Sequence, residues 1–169
     1  MNIFFLDRDP RLCAAYHGDK HVRKMMLEYA QLLCGAHHAA GNLLGLTGLY
    51  KPSHLQNRYS LWTRESAGHY AWLYRLWEEL AGEYTRRKQA RLPNNTEVSH
   101  QHASWWQLGE MLRKPPHELR CPWKDPPACD ALLGWKNIDR VEGYRMLYMG
   151  PKRHLAVWSP PATTPEWFE

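Results

Sequence analysis

Hydrophobic spacing divides the chain into helical patterns separated by glycine- and proline-rich breaks. Met1 to Leu6 is apolar and reads as a short strand or extended segment, closed by the turn formers Asp7-Arg8-Asp9-Pro10. Asp9 offers an oxygen to unpaired amides and Pro10 suits a first helical position, so a helix is predicted from Pro10 to about His17, ended by Gly18. Asp19 reads as the cap of a longer helix, Lys20 to about Ala39. There Val22, Met25, Met26, Tyr29, Leu32, Leu33 and Ala36 recur at three-to-four spacing and predict a buried stripe. Gly41, Gly45 and Gly48 mark a loop over Asn42 to Tyr50, and Pro52 keeps Lys51 out of helical geometry, so 51–54 continue as an irregular segment.

From Arg58 to Arg87 the band Leu61, Trp62, Tyr70, Leu73, Leu76, Trp77, Leu80 and Tyr84 predicts one central core helix. Pro93-Asn94-Asn95-Thr96 reads as a turn and cap, and a fourth helix is expected from Glu97 to about Leu112. Prolines 115, 116, 122, 126 and 127 abolish any period and predict a long loop over 113–137. Asp139 caps a last helix to about Met149 with Val141, Tyr144, Leu147 and Tyr148 inward. The tail 150–169, carrying Trp158, Trp167 and Phe168, is expected to dock on the body. With no internal repeat or composition step, the expectation is an all-α fold: a single-domain bundle of about five helices with long proline-rich loops.

A chain of 169 residues removes roughly 70% of its extended surface on folding, enough for a real core and too much for a disulfide-stapled miniprotein. Mean hydropathy is −0.65, and no run nears the length of a membrane span, so a soluble protein with no membrane partner is expected. Met1 to Pro10 lacks the basic start and long apolar stretch of a signal peptide, which predicts a cytoplasmic location. Cys13, Cys34, Cys121 and Cys129 form no CxxC pair and read as reduced thiols. The net charge of +5 favours an anionic partner, and nine tryptophans and nine tyrosines either fill a core or stack on bases.

The densest polar run is Tyr16-His17-Gly18-Asp19-Lys20-His21-Val22-Arg23-Lys24, at a helix start where backbone amides lack partners. His17, Asp19, Lys20, His21, Lys24 and Glu28 are therefore the candidate catalytic residues, against the alternative of a solvated helix face. His17 and His21 straddle a helix break and the remaining histidines show no ligand spacing, so no metal is assigned and no cofactor is implied. A second group contains His54 and Asn57 on an irregular entry, then Trp62, Arg64, Glu65 and His69. A carboxylate and an imidazole between rings make a tunable acid or base, or else a buried Glu–His bond joining helices. The third group is Tyr144, Arg145, Tyr148, Lys152, Arg153, His154 and Trp158, cations interleaved with rings as an extruded base requires, or else core plus solubilising charge; Asp7 is added as a substrate-binding candidate. Arg86, Arg87, Lys88 and Arg91 read either as a solvated helix end or as phosphate contacts. No GxGxxG, GxxxxGK[ST], GxSxG or EF-hand spacing occurs.

These residues carry a resemblance. Leu6-Asp7-Arg8-Asp9-Pro10, Tyr16-His17-Gly18-Asp19-Lys20-His21-Val22-Arg23-Lys24-Met25, Tyr50-Lys51-Pro52-Ser53-His54 with Asn57, Leu61-Trp62-Thr63-Arg64-Glu65-Ser66 and Pro165-Glu166-Trp167-Phe168 together resemble a family of short bacteriophage proteins over nearly the whole chain. Gly18 departs from the pattern, which has a larger residue there. The family is associated with the helical phage amino acid:DNA transferases, or glutamyl and putrescinyl thymidine pyrophosphorylases, which are similar to helical DNA glycosylases.

The resemblance implies an enzyme in the infected bacterial cell that displaces pyrophosphate from an activated 5-hydroxymethyluracil in DNA. Its partners would be DNA, single-stranded or with a flipped base, and an amino acid or amine. It also implies that Lys20, Lys24 and Arg64 hold phosphate, that His17 or His21 transfers a proton, and that Asp19 or Glu28 orients the imidazole. Two alternatives share the residue set: a DNA glycosylase or nuclease, and a non-catalytic phage protein that binds nucleic acid or a host factor.

Overall fold

In a computed structural model, residues 1–41, 43–92, 101–135 and 137–168 are described. Among them the protein is all-α: helices α1 (Pro10–Tyr16), α2 (Asp19–Ala40), α3 (Arg58–Glu65), α4 (Ala67–Gln89), α5 (Ala103–Leu108) and α6 (Arg140–Met149), with 3-10 turns at Asp130–Leu132 and Arg153–Leu155 and no strand. No helix among these residues is long and apolar enough to cross a membrane. The long helices α2 and α4 pack together at the centre, with α1 against α4, α3 against both, and α5 against α2.

Local chemistry explains most boundaries. Asp9 accepts the Arg11 amide at 2.8 Å with Pro10 at the first helical position. Gly18, not Asp19, occupies the cap of α2, which leaves the Asp19 carboxylate to pair with groups outside the helix, chiefly arginines. Every residue of the predicted α2 stripe is buried, as are Val141, Tyr144, Leu147 and Tyr148 of α6.

The predicted helix from Arg58 to Arg87 is two helices. Ser66 is extended, with φ −149° and ψ 142°, and its hydroxyl caps the next helix through the Gly68 amide. The break resets the register, so Leu61, expected inward, is 41% exposed while Trp62 is buried. The fourth helix is also shorter than predicted. His102 caps α5, which ends at Leu108, while residues 97–100 lie outside the described residues.

Met1 to Leu6 is not a strand. It is an extended segment with Ile3 to Leu6 in the core, and side chains satisfy its backbone in place of a ladder. The Phe4 amide donates to Tyr29, the Cys13 thiol donates to the Phe4 carbonyl, and the Arg145 guanidinium donates to the Leu6 carbonyl.

The proline-rich loop is held against the α3–α4 corner by side-chain and backbone bonds. His117 donates to the Arg64 carbonyl, the Ala67 amide donates to the Leu119 carbonyl, the Cys121 amide donates to Ser66 Oγ, and the Trp62 indole donates to the Lys124 carbonyl. The tail packs through Trp158, Trp167 and Phe168, with Trp158 donating to the Tyr16 carbonyl.

Candidate functional site

Helical spacing puts Lys20, His21, Lys24 and Glu28 on one side of the first turns of α2. They line a cavity of about 280 Å³ whose other walls are Asn2 and Phe4 from the N-terminal segment and Lys152 and Leu155 from beyond α6. Lys20 and Lys24 are exposed at its rim, and Lys24 Nζ lies 3.3 Å from Glu28. Lys152 Nζ stands 5.7 Å over the Phe4 ring, a cation–π contact that fixes the ammonium at the cavity wall.

The His21 ring lies against Phe4, with centroids 4.2 Å apart, and its Nδ1 is 2.5 Å from the Tyr148 hydroxyl. That bond leaves Nε2 as the ring nitrogen for a ligand. Burial, reinforced by the charges of His17, Lys152 and Lys24, pushes the His21 imidazole down to about 3. At neutral pH it is an uncharged ring that donates or accepts one hydrogen bond.

His17 and Asp19 do not enter this cavity wall. His17 is fully buried: Nδ1 donates to the Cys13 carbonyl at 2.7 Å, and Nε2 accepts from Tyr29, whose oxygen in turn takes the Phe4 amide. Both ring nitrogens are consumed and burial pushes the imidazole down to about 4, so His17 is a neutral brace between α1, α2 and the N-terminal segment. Asp19 accepts from Arg87, Arg91 and the Ser159 amide. The imidazole of His21 is oriented by Tyr148, a role expected of Asp19 or Glu28.

The remaining predicted residues are dispersed. Asp7 and Arg145 pair at 2.9 Å, and the Arg145 guanidinium lies against both the Tyr16 and Trp167 rings at 5.5 and 5.3 Å. Together they line a different cavity, of about 670 Å³. Asn57 caps α3 through the Tyr59 amide. His54, exposed, adopts a left-handed φ of 52° and its carbonyl accepts from Ser60 and the Asn57 amide. Trp62 stacks on His69 at 4.5 Å and 8°, Arg64 is half-buried, and Glu65 pairs with Lys124. Trp158 belongs to the aromatic cluster of the tail.

Three hollows run together along the start of α2. The cavity of Lys20 and Lys24 adjoins one of about 470 Å³ that shares those lysines and adds Arg23 and His102. Arg23 also borders a third hollow, of about 370 Å³, with Tyr84, Lys88 and Arg91. Sequence reasoning missed Arg23, Asn2 and Phe4. Arg23 sits inside the polar run that was singled out, whereas nothing in the order of residues 1–6 signals that they wall a cavity twenty residues away.

One group of potential metal donors occurs among the described residues: Glu65, His69 and Cys121, with one ligand atom of each within 4.8 Å of the others. No family model, curated protein or solved structure matches this chain.

Proposed function

We propose that the chain is a DNA-base transferase of the phage type, in which an amine displaces diphosphate from the 5-methylene carbon of an activated 5-hydroxymethyluracil. The observation that carries this reading is the meeting of Lys20, Lys24 and Lys152 with His21 and Glu28 around one cavity. The carbon–oxygen bond to the diphosphate breaks, a carbon–nitrogen bond forms, and the amine gives up one proton. Three ammonium groups suit the departing charge, and a hollow of about 280 Å³ is below the range of whole-ligand pockets, so it takes the phosphate end of the substrate.

A neutral His21 is a weak base, which assigns it the donation of Nε2–H to a phosphate oxygen, with Tyr148 donating to Nδ1. The Glu28 carboxylate, beside Lys24, then receives the proton of the nucleophile. The adjoining hollows with Arg23, Lys88 and Arg91 continue the positive surface along which a nucleic-acid backbone lies.

The test is nucleoside mass spectrometry after incubating the protein, an amine and DNA bearing the diphosphorylated base. The expected result is an amine-substituted thymidine and free diphosphate, lost in Lys24→Ala with no change in the unfolding curve. Full turnover by Lys24→Ala overturns the site, and strand scission without an adduct replaces transfer by hydrolysis.

A further inference from the structure

We propose that Glu65, His69 and Cys121 form a zinc-type metal site that staples the proline-rich loop to the α3–α4 corner. The inference is independent of the proposed transferase. Its starting point is convergence. The three donor atoms lie within 4.8 Å of one another, although Glu65 ends α3, His69 is in the first turn of α4 beyond the break at Ser66, and Cys121 comes from a loop far along the chain. Thiolate, imidazole and carboxylate are the donors zinc accepts, and three protein ligands with a water at the fourth position is a recognised zinc arrangement.

The donors are also held in place. The Cys121 amide is fixed to Ser66 Oγ at 3.3 Å. His69 Nδ1 donates to the Trp62 carbonyl at 3.0 Å, the outer hydrogen bond that metal-bound imidazoles carry, and this leaves the lone pair on Nε2. That lone pair meets the Lys124 amide at 3.3 Å, longer than the usual range for N–H donors and easily exchanged for a metal. Glu65 divides its oxygens: Oε1 takes the Lys124 ammonium, and Oε2, on the imidazole side 3.8 Å from Nδ1, swings toward Nε2 when the metal binds.

Burial fits a half-open centre, since His69 is buried, Cys121 is half-buried and Glu65 is exposed, leaving a solvent side for the water. On binding, the Cys121 thiol releases its proton to solvent, and the thiolate and the Glu65 carboxylate balance the two charges of the ion.

Titration of the full chain with Co²⁺ alone tests the site, since cobalt bound to a thiolate absorbs strongly in the near ultraviolet. The expected result is a band saturating at one ion per chain, abolished in Cys121→Ser, kept in Cys129→Ser, and needing at least about tenfold more metal in Glu65→Gln. Alkylation followed by mass spectrometry reads the same site without a variant: Zn²⁺ slows modification of Cys121 and leaves Cys129 unchanged. No thiolate band, a band that survives Cys121→Ser, or Cys121 alkylation indifferent to Zn²⁺ overturns the proposal.

Discussion

Arg87 offers the sharpest test of how the α2 start is held in place. Its side chain is 4% exposed and its guanidinium donates to the Ala15 carbonyl at 3.0 Å, the His17 carbonyl at 2.8 Å, Asp19 at 3.1 Å and Glu83 at 2.9 Å. The two carbonyls sit at the end of α1, where no intrahelical partner exists. Truncation to alanine strands them and removes one cation from two carboxylates. Breaking a buried ion pair from one side costs roughly 3–5 kcal/mol. Asp19 keeps Arg91 and Glu83 keeps Arg86, which places the loss at the lower end, about 3 kcal/mol, or on the order of 150-fold in the unfolding constant. At about 2–4 °C per kcal/mol for a chain of this size, the midpoint falls by roughly 6–12 °C. Urea unfolding followed by tryptophan fluorescence, with calorimetry, measures this directly. Arg86→Ala, at a 45% exposed side chain in the same helix, is the control and should shift little. A loss under about 1 kcal/mol for Arg87→Ala, or one equal to the control, refutes the clamp.

Two further outcomes follow from buried groups near the same junction. His17 and His21 are held down to about 4 and about 3 by burial, whereas in the unfolded chain each returns to about 6.5. Because the folded values are the lower ones, the unfolded chain binds protons first. The stability they contribute is therefore complete above pH ~6.5 and is lost as pH falls from there toward the folded values, by up to about 1.4 kcal/mol per pH unit for each ring. Urea midpoints at pH 7, 6 and 5 should fall, and NMR should show the His17 ring still neutral at pH 5; a His17 titration near its unfolded value contradicts the brace. Gly18 has an ordinary φ of −64°, but a Cβ there would stand 3.0 Å from the Leu155 carbonyl oxygen and 3.4 Å from the Val157 amide nitrogen. Gly18→Ala is expected to cost about 1–3 kcal/mol by overpacking and to speed exchange of the Asp19 amide, which donates to the Val157 carbonyl at 2.8 Å. Unchanged exchange would remove the tail from this contact.

Much of the helical frame was legible because its signals are local. Asp9-Pro10 and Asp139 announce the starts of α1 and α6, and the α2 stripe is a strict three-to-four repeat. The Ser66 break was not legible, since the eight-residue gap from Trp62 to Tyr70 spans about two helical turns and lets a single band run past a serine of good capping type. Of the predicted catalytic set, Lys20, His21, Lys24 and Glu28 share a helix face and meet at one cavity, which spacing alone anticipates. His17 and Asp19 turn elsewhere for reasons no local pattern contains: Tyr29 and the Cys13 carbonyl claim both nitrogens of His17, and Arg87 of α4 together with Arg91 just beyond its end claim Asp19. Arg87 belongs to neither reading of its cluster, being an interior clamp and not a solvated helix end or a phosphate contact. Cys121 meets Glu65 and His69 only because the loop is bound to the corner, and loop paths carry no periodic signal.

The cavity beside Lys24 joins Phe4 to Leu155, so it exists only after nearly the full length of chain has been brought back on itself. Closing so long a span is entropically slow compared with winding the helices, even in an all-helical protein. During refolding, helical circular dichroism should therefore recover ahead of phosphate binding, with the lag between the two signals marking the arrival of the last segment.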